Sequence, residues 1–190
     1  MPDFAHYRVY LQAGLREAER YLLSDNLFWP LNITPAFGEP SYPNLTLGGL
    51  LLYQAYARAT ASSGPEKAVM RQIETELDAE RTRWRVAWER KAAWEFKSRL
   101  RQWGNVLKEI RIDPEDNIDY YRYEVRLRVL ITLLHPELRE IDPAEQEHLD
   151  SLDLLLRALF DPGDFIWEPE LAPGFPADDF WYLWGLPKEP

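Results

Sequence analysis

The sequence predicts an all-α protein: about five helices in a bundle, one of them very long (about 66–111), wrapped by a Pro- and aromatic-rich loop and C-terminal tail. Three observations carry this prediction. Apolar residues recur at three- and four-residue intervals along most of the 190 residues. Asp ahead of a helical pattern, twice followed by Pro and acids, marks several helix starts. The 15 prolines gather between and after the helical stretches, where they cannot break them. At 46% hydrophobic and 28% charged, the composition is that of a folded globular chain, long enough to bury a core without cross-links.

Asp3 caps a first helix running from Phe4 to about Leu23, with Phe4, Tyr7, Leu11, Leu15, Ala18 and Leu22 on one face. From Ser24 to Leu45, Pro30, Pro35, Pro40 and Pro43 alternate with apolar residues such as Leu27, Phe28, Trp29 and Tyr42. That mixture predicts an ordered loop laid against the core. A second helix covers about Thr46 to Ala61. Leu47, Leu50, Leu51, Leu52, Tyr53 and Tyr56 surround it, which makes it the central buried helix, and Gly48 and Gly49 permit close approach by a neighbour.

Helical periodicity then runs from Glu66 to Trp103 and on to Ile112, with a bend at Gly104 or a projecting end able to pair with a second copy. Asp113-Pro114-Glu115-Asp116 restarts a helix. Residues 121–129 alternate as a strand would, yet Tyr120, Tyr123, Leu127, Leu130, Ile131 and Leu134 share a helical face, and the preceding cap favours helix. Asp142-Pro143-Ala144-Glu145 opens a helix to about Phe160. The sequence is read as a helical domain, 1–160, followed by an acidic tail, 161–190. Pro162, Pro169, Pro173, Pro176 and Pro187 make that tail irregular, and its aromatics predict that it packs back on the domain.

Few catalytic chemistries fit this inventory. No Cys is present, which removes disulfides, thiolate nucleophiles and Cys-ligated metals. There is no Gly-rich phosphate loop, dinucleotide fingerprint or nucleophile elbow. The three His are His6, His135 and His148. Glu145 and His148 have the spacing used by di-iron bundles, but the second such pair is missing, so no metal or other cofactor is expected. His135 sits at a helix end, where it serves the C-terminal carbonyls. Asn32-Ile33-Thr34 and Asn44-Leu45-Thr46 match a glycosylation pattern. No signal peptide or membrane-length apolar run accompanies them, so the expectation is a cytoplasmic protein without membrane contact.

The informative feature is charge segregation. The formal net charge is −10, yet Arg81 to Arg111 carries ten bases against three acids, a net of +7. Arg83, Arg90, Lys97, Arg101 and Lys108 align in a stripe, with Trp94 embedded among them and Trp88, Ala92, Phe96, Leu100, Trp103, Leu107 and Ile110 opposite. From Glu137 to Pro190, fourteen acids face three bases, a net of −11. The basic ridge therefore either meets the chain's own acidic part or serves a partner. The aromatic tail residues Phe180, Trp181, Tyr182 and Trp184 either anchor a partner or fold back as a lid.

These features predict a non-enzymatic protein–protein interaction module, an adaptor or accessory subunit, with a homodimer through the long helix as one form of partnership. One alternative is a nucleic-acid accessory protein using the basic, Trp-containing face. The overall negative charge opposes it. A second is a small-molecule binder or enzyme with an aromatic pocket between helices beneath Trp29.

Overall fold

The computed structural model describes residues 2–113 and 118–188. The chain divides into two units, Met1–Glu95 and Phe96–Pro190, and the division falls inside the longest helix. The all-α class holds, with a single two-stranded sheet among the described residues.

The first unit contains α1 (Phe4–Leu23), α2 (Leu47–Thr60), α3 (Gly64–Arg83) and the start of α4 (Arg85–Ile112). Asp3 caps α1 by accepting from the His6 N–H at 3.1 Å. Thr46 caps α2, accepting from Gly49 N–H at 2.9 Å, which gives the second Asn-x-Thr match a structural role. Ser63 and Glu66 form a reciprocal capping box on α3. Glycine lets α1 and α2 approach closely. A Cβ at Gly14 would lie 2.8 Å from Leu50 Cδ1, and one at Gly49 would lie 2.9 Å from the Tyr10 phenol oxygen.

The N-terminus of α2 is buried, so its backbone donors need partners. Leu47 N–H donates to the Tyr21 phenol oxygen at 3.0 Å, and Gly48 N–H donates to Glu95 Oε2 at 2.8 Å. The proline-rich loop is stapled at both ends and in its middle. Trp29 and Leu45 exchange backbone hydrogen bonds at 2.9 and 2.7 Å, and the Trp29 indole donates to Glu17 at 3.2 Å. The buried His6 ring stacks 4.3 Å from Tyr42 and lies 2.9 Å from Glu39 Oε2 through Nδ1.

The second unit contains the rest of α4, α5 (Tyr121–Glu124), α6 (Arg126–Leu134), α7 (Pro143–Leu159), β1 (Phe160–Phe165) and β2 (Trp184–Pro187). Phe96, Leu100, Trp103, Leu107 and Ile110 of α4 are buried, as their spacing predicts. Residues 121–134 are helical, not extended. The helix restart at Pro114-Glu115-Asp116 lies outside the described residues.

Three boundaries differ from the sequence reading. The long helix is interrupted at Trp84 (φ −111°, ψ 29°), although α-helical hydrogen bonds continue on both sides, from Trp84 N–H to Glu80 O and from Trp88 N–H to Trp84 O. No glycine or proline marks this point. The bend lets α3 pack on α1 while Arg90 of α4 donates to Leu22 O at the end of α1. Gly104, the expected bend, is ordinary helix and instead faces His148 and Leu152 of α7. The tail is not wholly irregular: β1 and β2 pair antiparallel, with a bulge between Pro162 and Phe165. A two-stranded ribbon has only edge strands, and those tolerate Pro162 and Pro187.

Two measurements test these assignments by urea unfolding. A Cβ at Gly104 meets only ordinary contacts, the nearest at 3.5 Å, so Gly104→Ala should stabilise the protein by about 0.5–1 kcal/mol. Gly185 has φ +140° and an added Cβ would lie 2.2 Å from Asp161 O, so Gly185→Ala should cost about 1–3 kcal/mol in backbone strain, with the steric conflict added. Separately, Glu95→Ala leaves the buried Gly48 N–H without its acceptor and should cost about 1–3 kcal/mol. Glu95→Gln, which keeps an acceptor oxygen, should cost less.

Candidate interaction surfaces

The basic stripe is exposed wherever the sequence places it, and it divides between the units. In the first, Arg83 ion-pairs with Glu19 at 3.8 Å and covers the Trp84 ring at 5.1 Å. Arg90 is exposed apart from its hydrogen bond to Leu22 O. Trp94 is 45% exposed, a large aromatic left open to solvent beside Arg90. Exposed Leu23 (53%) belongs to the same region, because Arg90 and Lys91 hold the residues on either side of it, Leu22 and Ser24.

Beneath Trp94 lies Lys91, which sequence counting assigns to the basic ridge but which is wholly buried. Its ammonium donates to Asn26 O and to Ser24 Oγ, and sits 4.6 Å from the Tyr21 ring centroid and 5.5 Å from that of Trp94. Burial, reinforced by the Arg90 charge, pulls its pKa below the usual lysine value. Lys91 therefore fastens residues 24–26 to α4 and underlies the exposed indole. Periodicity missed this role because Lys91 and Arg90 are adjacent in sequence and identical in charge.

In the second unit, Lys97 pairs with Glu145 of α7 at 3.4 Å, a largely exposed contact of small energetic weight. Arg101 and Lys108 are exposed. Glu145 is thus an ion-pair partner, while His148 packs beside Gly104. His135 opens a short 3-10 turn and hydrogen-bonds Gln146 Oε1 at 3.2 Å.

The four tail aromatics are committed to their own unit. Phe180 and Tyr182 are buried; Trp181 and Trp184 are half-buried. Tyr182 O accepts from the Tyr121 phenol at 2.7 Å, and the Tyr182 phenol lies 2.6 Å from Thr132 Oγ1. Arg157 covers Trp181 at 3.9 Å, and the Trp184 indole donates to Phe175 O at 3.0 Å. Arg128 stacks over Tyr182 at 4.7 Å and grips Asp153 through two hydrogen bonds of 2.8 and 2.7 Å. Trp29 is likewise a staple within its loop.

The second unit contains two cavities of note for its charged residues. One, of about 410 Å³, lies among Gln102, Asn105, Glu109, Tyr120, Glu124 and Leu127. The other, of about 630 Å³, opens at the β1–β2 bulge and is bordered by Arg122, Asp161, Asp164 and Lys188. Among the described residues, no group of three or more His, Asp or Glu is placed to hold a metal, and no helix is long and apolar enough to cross a membrane. Comparison with protein-family models, with curated proteins and with solved structures finds no match to this chain.

Buried tyrosines set an alkaline limit on stability. Burial raises the pKa of Tyr10, Tyr121 and Tyr182 well above 10, so the folded chain keeps protons that the unfolded chain releases at high pH. Their contribution is complete below about pH 10 and is lost as pH rises beyond it. Lys91, with its lowered pKa, opposes this trend, but one group stands against three. The urea midpoint should therefore fall between about pH 9 and pH 11, and less steeply in Tyr182→Phe.

Proposed function

We propose that the protein is a non-enzymatic interaction module, an adaptor or accessory subunit, that binds an acidic protein through the exposed surface around Trp94. One observation carries this reading: Trp94 stays 45% exposed beside Arg90, whereas Trp88 of the same helix is 2% exposed. Trp and Arg are the residue types that dominate binding energy at protein interfaces. The indole is also held from below by Lys91, so little side-chain freedom is lost on docking. The absence of Cys supports a cytoplasmic setting.

An acidic protein is favoured over nucleic acid because a chain of net charge −10 repels phosphate at long range, while a local basic surface steers a carboxylate-bearing partner. Cross-linking mass spectrometry in extracts of the native cells tests the proposal. An acidic protein should cross-link beside Trp94, and Trp94→Ala should weaken that contact about tenfold or more without changing the melting temperature. Identical partners for wild type and variant would overturn it. A single-stranded oligonucleotide that shifts wild type but not Trp94→Ala at low salt would transfer the site to nucleic acid. Cross-links only between copies of the chain would make the partner a second copy.

A further inference from the structure

The β1–β2 ribbon has three peculiarities that converge on one place. Its first strand, Phe-Asp-Pro-Gly-Asp-Phe, leaves Gly163 and Asp164 outside the pairing register, between the Pro162–Gly185 and Phe165–Trp184 partners. Bulges of this kind re-aim side chains and cluster beside binding sites. Gly185, across from them, has a positive φ of 140° that other residues rarely adopt. A cavity of about 630 Å³, within the range of small-molecule sites, opens at this bulge.

Its lining carries charge of both signs. Asp161, Asp164, Arg122 and Lys188 are all lining residues, and all four are exposed. Among the described residues, none of these four side chains forms an ion pair, so opposite charges surround one space without neutralising each other by contact. Arg122 is held in place: its Nη1 donates to Ile166 O at 3.0 Å, and its own carbonyl accepts from the Trp167 indole at 2.8 Å. That leaves the other guanidinium N–H groups available. The apolar part of the wall is also fixed, since the Phe165 ring packs 5.2 Å from Trp184 and 6.5 Å from Trp167.

A ligand complementary to such a wall carries a carboxylate, an ammonium and an apolar body. A simple anion would meet the two Asp, and a simple cation would meet Arg122 and Lys188. We infer that the β1–β2 cavity binds a small apolar zwitterion of the amino-acid type, its carboxylate on Arg122 and Lys188 and its ammonium on Asp161 and Asp164. A free amino acid and a short peptide share this chemistry. The site is independent of the Trp94 surface and stands whether or not that surface binds a protein.

Isothermal titration with L-leucine and with L-leucyl-L-leucine, on the full chain, tests the inference and tells the two sources apart. One of the two should bind, and its N-acetylated and amidated derivatives, each lacking one charge, should bind about tenfold or more weakly. Arg122→Gln should weaken the parent ligand by a similar factor. Asp164→Asn, at an exposed residue with no described hydrogen bond, should do the same without altering the melting temperature. Absence of binding by both ligands at ten millimolar would overturn the inference. So would equal binding of the singly charged derivatives, or unchanged affinity in Asp164→Asn.

Discussion

The first unit depends on a buried carboxylate. Glu95 reaches from α4 to the N-terminus of α2, where it accepts from Gly48 N–H at 2.8 Å. A helix start enclosed by apolar residues exposes donors that water cannot reach, and a carboxyl oxygen in the same place loses its own hydration. Each group offsets the cost of burying the other, and the helix dipole adds to the attraction. This contact is what allows α2, apolar around most of its circumference, to start inside the unit. The other first-turn donors are met by Tyr21 and Thr46, so the cap is shared by α1, α2 and α4.

The second unit solves a comparable problem with an arginine. Arg128, nearly enclosed, is matched by Asp153 through two hydrogen bonds and by the face of Tyr182. Tyr182 belongs to the tail, so the same cation that joins α6 to α7 also fixes the tail on the helices. The aromatic tail is therefore a core component of its unit. The Tyr182 side chain gives Thr132 a hydroxyl neighbour and the Arg128 guanidinium an aromatic face.

Charge is divided in a way that net charge conceals. Ridge and acidic stretch meet at the exposed Lys97 and the half-buried Glu145, while Arg101 and Lys108 remain at the surface. The acids of the β1–β2 ribbon face a cavity of their own, next to Arg122 and Lys188. Repulsion within the ridge is tolerated because most of its members are solvated, where salt and water screen them.

Helix starts and core faces were legible in the sequence because they rest on short-range rules. Asp3 and Asp142 cap the helices they precede, and the face running from Trp88 to Ile110 is buried as its 3.6-residue period requires. Exposure of Trp94 was legible for the same reason. The bend at Trp84, the burial of Lys91 and Glu95, and the β1–β2 pairing were not, because each depends on partners far away in the chain. Lys91 and Glu95 look like surface residues of a charged helix until Asn26 and Gly48 are brought to them. Residues 160–165 have no strand pattern until residues 184–187 supply their hydrogen bonds. Sequence by itself determined which residues face the core and where helices begin, since neighbours along the chain decide both. Tertiary structure alone decided which charges are buried, because only a folded partner can replace the water that a buried charge gives up.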